Sequence, residues 1–228
     1  MRISKEETAA NRAKVLAAAA RLFREKGVDG IAVAELMQAA GLTHGGFYNH
    51  FESKEELAAA AFREAFAAAV SRVERQAAEA DKRGREAVFA HYVGRYLAPD
   101  TRDTPGTSCP MATLGTDAAR HGSQLRDAFA EGVRHYIEAF AKIMPGDASE
   151  QRTEAITVLS TLIGALTLSR ACVGADDALA DEVIATVVID PVPATGPAPS
   201  RSPHRPAHHR RRRRRVTTST PRSASTER

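Results

Sequence analysis

The residues best suited to chemistry lie in one short segment, VAELMQAAGLTHGGFYNHFESK, at positions 33–54. Its hydroxyls, imidazoles and one amine can donate hydrogen bonds to anionic oxygens such as those of phosphates. These donors are Thr43, His44, Tyr48, His50 and Lys54. Gly45 and Gly46 leave the backbone between the donors bare, and Glu52 is the only acid between Leu42 and Lys54. The segment therefore presents a surface that does not repel a polyanion.

Two short helices joined by a tight turn would position these donors. Apolar residues at helical spacing predict a first helix over Val33–Ala40. Gly41 is predicted to end it, because glycine adopts the left-handed conformation without steric cost. Thr43 is predicted to cap a second helix, His44–His50. Since that helix has only about two turns, packing against the rest of the protein must hold it.

The second helix has distinct inner and outer faces. Phe47 and Phe51 are four residues apart and are predicted to enter a core, whereas Tyr48 and His50 point outward. A short helix with a bare N-terminal end and outward polar aromatic side chains is suited to the major groove of DNA. The alternative is an ordinary helical hairpin whose glycines only allow close packing. The ordered set of features favours the DNA interpretation.

Each donor has an expected role against DNA. Phosphate contacts are assigned to Thr43, Tyr48 and His50. Lys54 adds a positive charge at the start of the following helix. His44 is expected to reach base edges, with Gly45 and Gly46 allowing close approach.

The sequence AAGLTHGGFYNHFESKEEL resembles the helix-turn-helix signature of the tetracycline-repressor-like (TetR/AcrR) family of bacterial transcription regulators. The match covers about residues 11–60 and includes a preceding helix, Asn11–Lys26. The resemblance implies a sequence-specific regulator that acts as a homodimer on palindromic operator DNA, and a repressor that a small-molecule effector releases. One departure is Ala32, where the family usually has a Ser or Thr that caps the next helix and touches a phosphate. Ala32 favours the rival hypothesis, a helical ligand-binding or interaction module that does not bind an operator.

Composition predicts an all-α protein in a reducing compartment. Aromatic residues make up 5% of the 228 residues, and there are two cysteines, too few for a disulfide scaffold. The N-terminus has no apolar run of a secretory signal. The longest uncharged stretch, Ala155–Ser169, is too short and too rich in Ser and Thr to span a bilayer. We therefore expect a cytoplasmic protein with no membrane partner.

The net positive charge of the chain comes from its C-terminal end. Of 32 basic and 28 acidic residues, ten arginines and one glutamate lie in residues 191–228. This Pro- and Arg-rich segment cannot bury a core and is predicted to be a disordered tail. One interpretation is a basic arm that grips phosphates, with histidines able to bind metal weakly. The other, which we favour, is a product of a frame change in a GC-rich gene, with no selected role.

The remaining sequence predicts a helical body. We assign residues 1–10 to a flexible leader, 11–55 to the helix-turn-helix domain and 56–190 to a ligand-binding and dimerisation domain. Ser53 and Glu56 form a capping box that opens a long helix to about Ala80. Residues 98–110 are predicted to form a loop. The other predicted helices are Arg85–Leu97, Pro110–Arg120, Ser123–Lys142, a helix from Asp147 or Ser149 to Val173, and one from Asp176 or Asp177 to Ile189.

The last two predicted helices carry wide apolar surfaces. Their apolar residues are Ile156, Leu159, Leu162, Ile163, Leu166, Leu179, Val183 and Val187. They are buried either within one protomer or in a four-helix bundle with a second copy. We favour the homodimer, because a two-turn reading helix contacts few bases and specificity requires two half-sites.

The body is expected to enclose an effector pocket, as the resemblance implies. Polar-tipped or soft side chains that could line it are His91, Tyr92, Tyr96, Met111, Tyr136 and Phe140. Cys109 precedes a predicted helix whose first amides would favour a thiolate, so it is a candidate redox sensor; the alternative is an unreactive loop residue. No catalytic or zinc-binding motif occurs. We therefore expect no enzyme activity, no cofactor and no metal.

Overall fold

The computed structural model describes residues 4–145 and 149–189, and within these ranges every regular element is helical. The α-helices are α1 (Lys5–Lys26), α2 (Val33–Ala39), α3 (Lys54–Arg83), α4 (Arg85–Tyr96), α5 (Pro99–Asp103), α6 (Pro110–Arg120), α7 (Ser123–Ala141), α8 (Gln151–Cys172) and α9 (Asp177–Ile189). Two 3-10 helices, His44–Asn49 and Pro105–Thr107, lie between them. The predicted all-α class is confirmed. The predicted disordered tail, residues 191–228, lies outside the described residues.

Helix α1 begins earlier than the sequence suggested. Residues 5–10, assigned to a flexible leader, are helical because the Ser4 hydroxyl accepts a hydrogen bond from the Glu7 amide at 3.0 Å. Ser4 and Glu7 have the spacing of a capping box. The same spacing was recognised at Ser53 and Glu56, where the Ser53 hydroxyl accepts from the Glu56 amide at 3.0 Å.

The turn after α2 is a Schellman motif. Gly41 has φ +73°, and its amide donates to the Gln38 carbonyl at 3.0 Å. The Leu42 amide donates to the Met37 carbonyl at 2.9 Å. These bonds satisfy carbonyls that the helix end would leave unpaired, and Leu42 packs against the buried core of the N-terminal helices.

The segment His44–Asn49, which we call the recognition helix, is a 3-10 helix rather than an α-helix. Thr43 does not cap it through its side chain, which corrects the predicted cap. The reason is the tighter helix: the Gly46 amide already donates to the Thr43 backbone carbonyl at 3.0 Å. The Thr43 hydroxyl is therefore not needed for the local fold.

Helix α3 connects the N-terminal helices to the body. Its first half contributes to the core around the recognition helix, and its second half to the core of the body. It packs against α7, where the Phe66 and Phe129 rings meet edge to face at 5.4 Å. Gly132 lies directly under Phe66, so a Cβ there would overlap the ring. Glycine at this position lets α3 and α7 approach closely.

The segment predicted as a loop, residues 98–110, contains helix α5 and the 3-10 helix Pro105–Thr107. Proline at the first position of each helix is compatible with helical φ and needs no amide donor. Arg102 of α5 makes a 2.7 Å ion pair with Asp181 of α9. Tertiary contacts therefore order a stretch whose composition favours a loop.

Helices α8 and α9 close the body. Ser149 does not cap α8, which begins after Glu150 without a side-chain cap, and the alternative cap Asp147 lies outside the described residues. Asp176 caps α9 through the Leu179 amide at 3.0 Å. With a mean hydropathy of 1.5, α8 is long and apolar enough to cross a membrane. Its buried side packs in the body core, as an interior helix of a soluble bundle also would.

Candidate nucleic-acid interface and internal cavity

The recognition helix places its aromatic residues on opposite sides, as predicted. Phe47 and Phe51 are 1% and 2% exposed, whereas Tyr48 is 73% exposed. The Tyr48 ring leans edge-on against Phe47 with centroids 5.2 Å apart. Arg12 of α1 covers the Phe51 ring at 4.4 Å. The buried pair anchors the helix and fixes the direction in which Tyr48 projects.

The two glycines of the recognition helix have different surroundings. A Cβ on Gly45 would meet no atom of the described chain within 4 Å. A Cβ on Gly46 would make ordinary contacts with Met37 at 3.6 Å and Thr43 at 3.8 Å. Neither has a positive φ. The fold therefore does not require glycine at position 45, and the packing alternative does not explain it.

The other predicted DNA-contacting residues cluster around these glycines. Thr43 and His44 are exposed, while His50 and Lys54 are half-buried. The predicted outward position is therefore confirmed for Tyr48 but not for His50. His50 Nδ1 is buried without a hydrogen-bond partner in the described chain. Lys54 is the first residue of α3. The structure thus places all seven predicted residues on or next to the recognition helix; whether they bind DNA stays a prediction.

Ala32 stands at the N-cap of α2 and makes no side-chain cap. Its own amide donates to Glu35 Oε2 at 2.9 Å, and its carbonyl accepts from the Glu35 and Leu36 amides at 3.1 and 3.2 Å. The helix start is therefore held without a hydroxyl at position 32.

Ser108 connects the N-terminal helices to the body. Arg24 of α1 donates to the Ser108 carbonyl at 3.1 Å, and Arg170 of α8 donates to the Ser108 hydroxyl at 2.6 Å. Burial lowers the pKa of both arginines, yet guanidinium groups stay charged in proteins. No sequence motif marks this link, because its three residues are far apart along the chain.

A second link joins the α1–α2 loop to α6. The Val28 amide donates to Asp117 Oδ1 at 3.0 Å. His121 lies 2.8 Å from the Asp117 carbonyl through Nδ1 and 3.2 Å from Asp29 Oδ1 through Nε2. The Asp117 carbonyl, followed by the Asp29 carboxylate, raises the pKa of His121. The link is strongest when the imidazole is protonated.

The body encloses a cavity of about 410 Å³ between α3, α4, α7 and the segment before α6. It is lined by Ala69, Arg72, Val73, Gln76, His91, Tyr92, Arg95, Tyr96, Asp100, Thr101, Thr104, Thr107, Ser108, Cys109 and Tyr136. Four of the six predicted lining residues are present. Met111 and Phe140 are not: Met111 is buried in the core, and Phe140 packs against Tyr92 with ring centroids 4.8 Å apart.

Three tyrosines form the inner wall of the cavity. The Tyr92 and Tyr136 hydroxyls are hydrogen-bonded at 2.6 Å. The Tyr96 hydroxyl makes no hydrogen bond of good geometry in the described chain, although the residue is only 6% exposed, and its polar neighbour is the Cys109 thiol. Burial raises the pKa of all three phenols, so they are neutral donors at physiological pH.

Cys109 also lines this cavity, but its environment reverses the expected acidity. Cys109 is 6% exposed, and burial raises the pKa of its thiol by more than the Tyr96 hydroxyl and the Ala112 and Met111 amides lower it. The helix start was expected to favour the thiolate; desolvation outweighs that effect. Cys109 therefore contributes a neutral thiol to the cavity wall.

Comparisons with known proteins agree with the geometry of the N-terminal helices. Residues 15–61 match the model of the bacterial regulatory proteins of the tetR family. The HTH-type transcriptional repressor Rv1474c of Mycobacterium tuberculosis is 33% identical over 111 residues, which cover 49% of this chain and 54% of that protein. The chain therefore aligns with about half the length of this relative. The regulator TtgR of Pseudomonas putida is 40% identical over 57 residues, or 25% of this chain and 27% of TtgR.

Solved structures share the whole helical fold. A TetR-family regulator from Cytophaga hutchinsonii superposes with a TM-score of 0.65 at 21% identity, covering 86% of this chain and 100% of that one. Reduced NemR of E. coli gives a TM-score of 0.62 at 19% identity, covering 78% and 95%. The described helices beyond residue 61 therefore follow the fold of these two structures. Residues 15–61 are thus similar to the tetR family of bacterial regulatory proteins, and the described part of the chain has the fold of a solved TetR-family regulator.

Proposed function

We propose that this protein is a cytoplasmic, homodimeric transcription regulator that binds palindromic operator DNA and represses transcription until a small effector releases it. The matched relatives are regulators and not enzymes, and we assign no catalytic role to any residue. DNA contacts are assigned to the seven residues of the recognition helix region: Thr43, His44, Gly45, Gly46, Tyr48, His50 and Lys54.

The observation that carries this proposal is the combination of Gly45 and Tyr48. Nothing in the described chain fills the space beside Gly45, and Tyr48 is 73% exposed with its hydroxyl free to donate. Glycine lowers the stability of a helix, so the uncovered backbone beside the exposed Tyr48 does not benefit the fold. It is useful where another macromolecule comes close, as in a DNA groove.

The proposed dimer interface is the outer face of α8 and α9. Leu159, Leu162 and Leu166 are buried within the protomer, which supports the monomer alternative for that side of α8. Large apolar side chains remain exposed on the two helices and the turn between them: Ile156 43%, Leu168 60%, Val173 44% and Leu179 43%. Such a patch fits a second copy.

The proposed effector site is the 410 Å³ cavity. Its wall includes Ser108, which holds Arg24 of α1, so a ligand that moves the segment before α6 also moves the N-terminal helices. An effector that favours one position of α1 shifts the population towards dimers whose recognition helices do not match the half-sites.

A binding assay with the DNA upstream of the protein's own gene tests the regulator proposal. Labelled duplex is titrated with protein at about 50 and 200 mM salt, beside a shuffled duplex of the same composition. We expect a shift that is selective for the native sequence and weakens steeply with salt. Equal binding to both duplexes, or none, would favour the rival, a ligand-binding or interaction module without an operator.

A further inference from the structure

We propose that the cavity binds a small planar organic anion, an aromatic ring that carries one carboxylate. This inference rests on the proposed function insofar as the cavity is taken as the effector site. The binding chemistry follows from the charges, donors and walls of the cavity, and it can be measured without DNA.

The open side of the cavity carries unpaired positive charge. Arg72 of α3 and Arg95 of α4 are both exposed and line the cavity. Neither side chain makes an ion pair with another residue of the described chain. Asp100 is the one acidic residue among the lining residues. The two guanidiniums outnumber it, so the rim attracts an anion.

Two further arginines reinforce this charge from behind the wall. Arg24 and Arg170 converge on Ser108, a lining residue. Their hydrogen bonds in the described chain go to backbone carbonyls and the Ser108 hydroxyl, not to carboxylates. Arg170 Nη1 has no partner at all in the described chain. Because these half-buried charges are poorly screened, they add to the positive potential inside the cavity.

The inner wall supplies a donor and flat apolar surfaces. Tyr96 is only 6% exposed, and the group beside its hydroxyl is the Cys109 thiol, a weak hydrogen-bonding partner. A ligand oxygen would satisfy the hydroxyl better. The rings of Tyr92 and Tyr96 are 5.7 Å apart and inclined by 31°. Aromatic faces of this kind pack well against a planar ligand ring. An anionic group near Arg72 and Arg95, with its ring against the tyrosine wall, uses both sides of the site.

The size of the cavity supports a compact ligand. A volume of about 410 Å³ lies near the lower end of the usual range for small-molecule sites. One or two fused rings with a carboxylate suit this space. Guanidinium groups also match a carboxylate geometrically, because both are planar and can form two parallel hydrogen bonds.

Three isosteric ligands isolate the charge requirement. Benzoate, benzamide and benzamidine have the same shape but carry charges of −1, 0 and +1, and the 2-naphthyl series repeats the comparison with a larger ring. Each is titrated into the full-length protein by calorimetry at low salt. We expect the carboxylate to bind about tenfold or more tighter than the amide, and the amidine to bind least.

Variants locate the binding within the cavity. Arg72→Gln and Tyr96→Phe should each weaken carboxylate binding several-fold, and Arg72→Gln should also reduce the preference over the amide. The matched control is Arg75→Gln, since Arg75 is an exposed arginine of the same helix that does not line the cavity. Circular dichroism and thermal melting confirm that each variant is folded.

Equal affinity for carboxylate and amide, a preference for the amidine, or no carboxylate binding at millimolar concentration would overturn the proposal. An Arg75→Gln effect as large as that of Arg72→Gln would overturn the location. Operator binding is measured in parallel on the same samples. Carboxylate binding without operator binding would retain this inference and refute the regulator; operator binding without carboxylate binding would do the reverse.

Discussion

A substitution at Gly45 distinguishes an effect on DNA binding from an effect on folding. Alanine at this position meets no atom within 4 Å and is a better helix former than glycine. We therefore expect Gly45→Ala to leave the free energy of unfolding unchanged or slightly higher. Against operator DNA the added methyl group would clash or hold the backbone away, which costs about 1–3 kcal/mol. Fluorescence anisotropy with labelled duplex measures the affinity.

The control for this change is Gly94→Ala in α4, where a Cβ also meets nothing within 4 Å. It should alter neither operator affinity nor fold. If Gly45→Ala binds the operator as tightly as the unmodified protein, residue 45 does not approach DNA.

Substitutions of Tyr48 and His44 are expected to change DNA binding in different ways. Tyr48→Phe removes one hydroxyl that we assign to a phosphate, so it should weaken binding to all duplexes alike, by roughly 1 kcal/mol. His44→Ala should instead change the preference among half-site sequences, since base contacts carry specificity. Binding to a panel of single-base operator variants distinguishes the two. A Tyr48→Phe variant with altered preference but unchanged overall affinity would contradict the assignment.

For single residues, the sequence predicted burial and exposure more accurately than side-chain hydrogen bonds. The burial of Phe47 and Phe51 and the exposure of Tyr48 follow from helical spacing, and the structure confirms them. The Thr43 cap was wrong, because a capping side chain was assumed for an α-helix and the chain adopts a 3-10 helix. A threonine before a helix either caps it through its hydroxyl or leaves the hydroxyl free, and the backbone geometry decides which of the two occurs.

Among the helices, the contact of α3 with α7 tests close packing. Gly132→Ala places a methyl group in the Phe66 ring, and overpacking of this kind costs about 1–3 kcal/mol. We expect a lower midpoint in urea, with Gly94→Ala as the matched glycine substitution that lacks a neighbour. An unchanged midpoint would mean that Phe66 moves away without cost.

The link between α6 and the α1–α2 loop predicts a pH dependence. The folded state raises the pKa of His121 above its unfolded value of about 6.5. Its protonation therefore stabilises the fold fully below about pH 6.5, and this contribution is lost as the pH rises through the raised pKa. Between about pH 6 and 8 the melting temperature should fall more in the unmodified protein than in His121→Gln.

The comparison with His121→Gln cancels the titration of the other histidines, which both proteins share. Asp29→Asn should reduce the dependence partly, since Asp29 is the lesser of the two partners that raise this pKa. Parallel melting curves for the unmodified protein and His121→Gln would refute the link.

Helix boundaries were predictable wherever a local signal existed. The bounds of α6, Pro110–Arg120, agree with the prediction, because Pro110 marks its first turn. Ser4 and Glu7 carried a similar signal that could have placed the start of α1. Helix α5 could not be predicted, because its contacts join residues far apart in sequence. Arg170 donates to the Thr101 and Arg102 carbonyls, and Arg102 pairs with Asp181.

For the whole molecule, assembly depends on the exposed apolar patch of α8 and α9. Leu168→Glu puts a charge on its most exposed member, 60% accessible in the protomer. We expect it to convert dimer into monomer without unfolding, because a buried unpaired carboxylate is costly only in the interface. Sedimentation equilibrium measures the mass. Ala78→Glu, on the exposed face of α3, is the control and should leave the assembly state unchanged.

The wall of the cavity was only partly predictable from the sequence, for a structural reason. Its wall combines residues from α3, α4, α7 and the segment before α6. Aromatic residues such as Tyr92 and Tyr136 could be proposed from their type. The arginines Arg72 and Arg95 resemble any other exposed cation of an amphipathic helix until the fold brings them together.

The placement of the tyrosines has a spectroscopic consequence. The protein has four tyrosines and no tryptophan, so its near-ultraviolet emission comes from tyrosine alone. Three of them, Tyr92, Tyr96 and Tyr136, line the cavity, and the fourth, Tyr48, lies on the recognition helix. In a Tyr48→Phe background every emitting residue reports on the cavity. The unlabelled protein is thus its own optical probe for ligand entry.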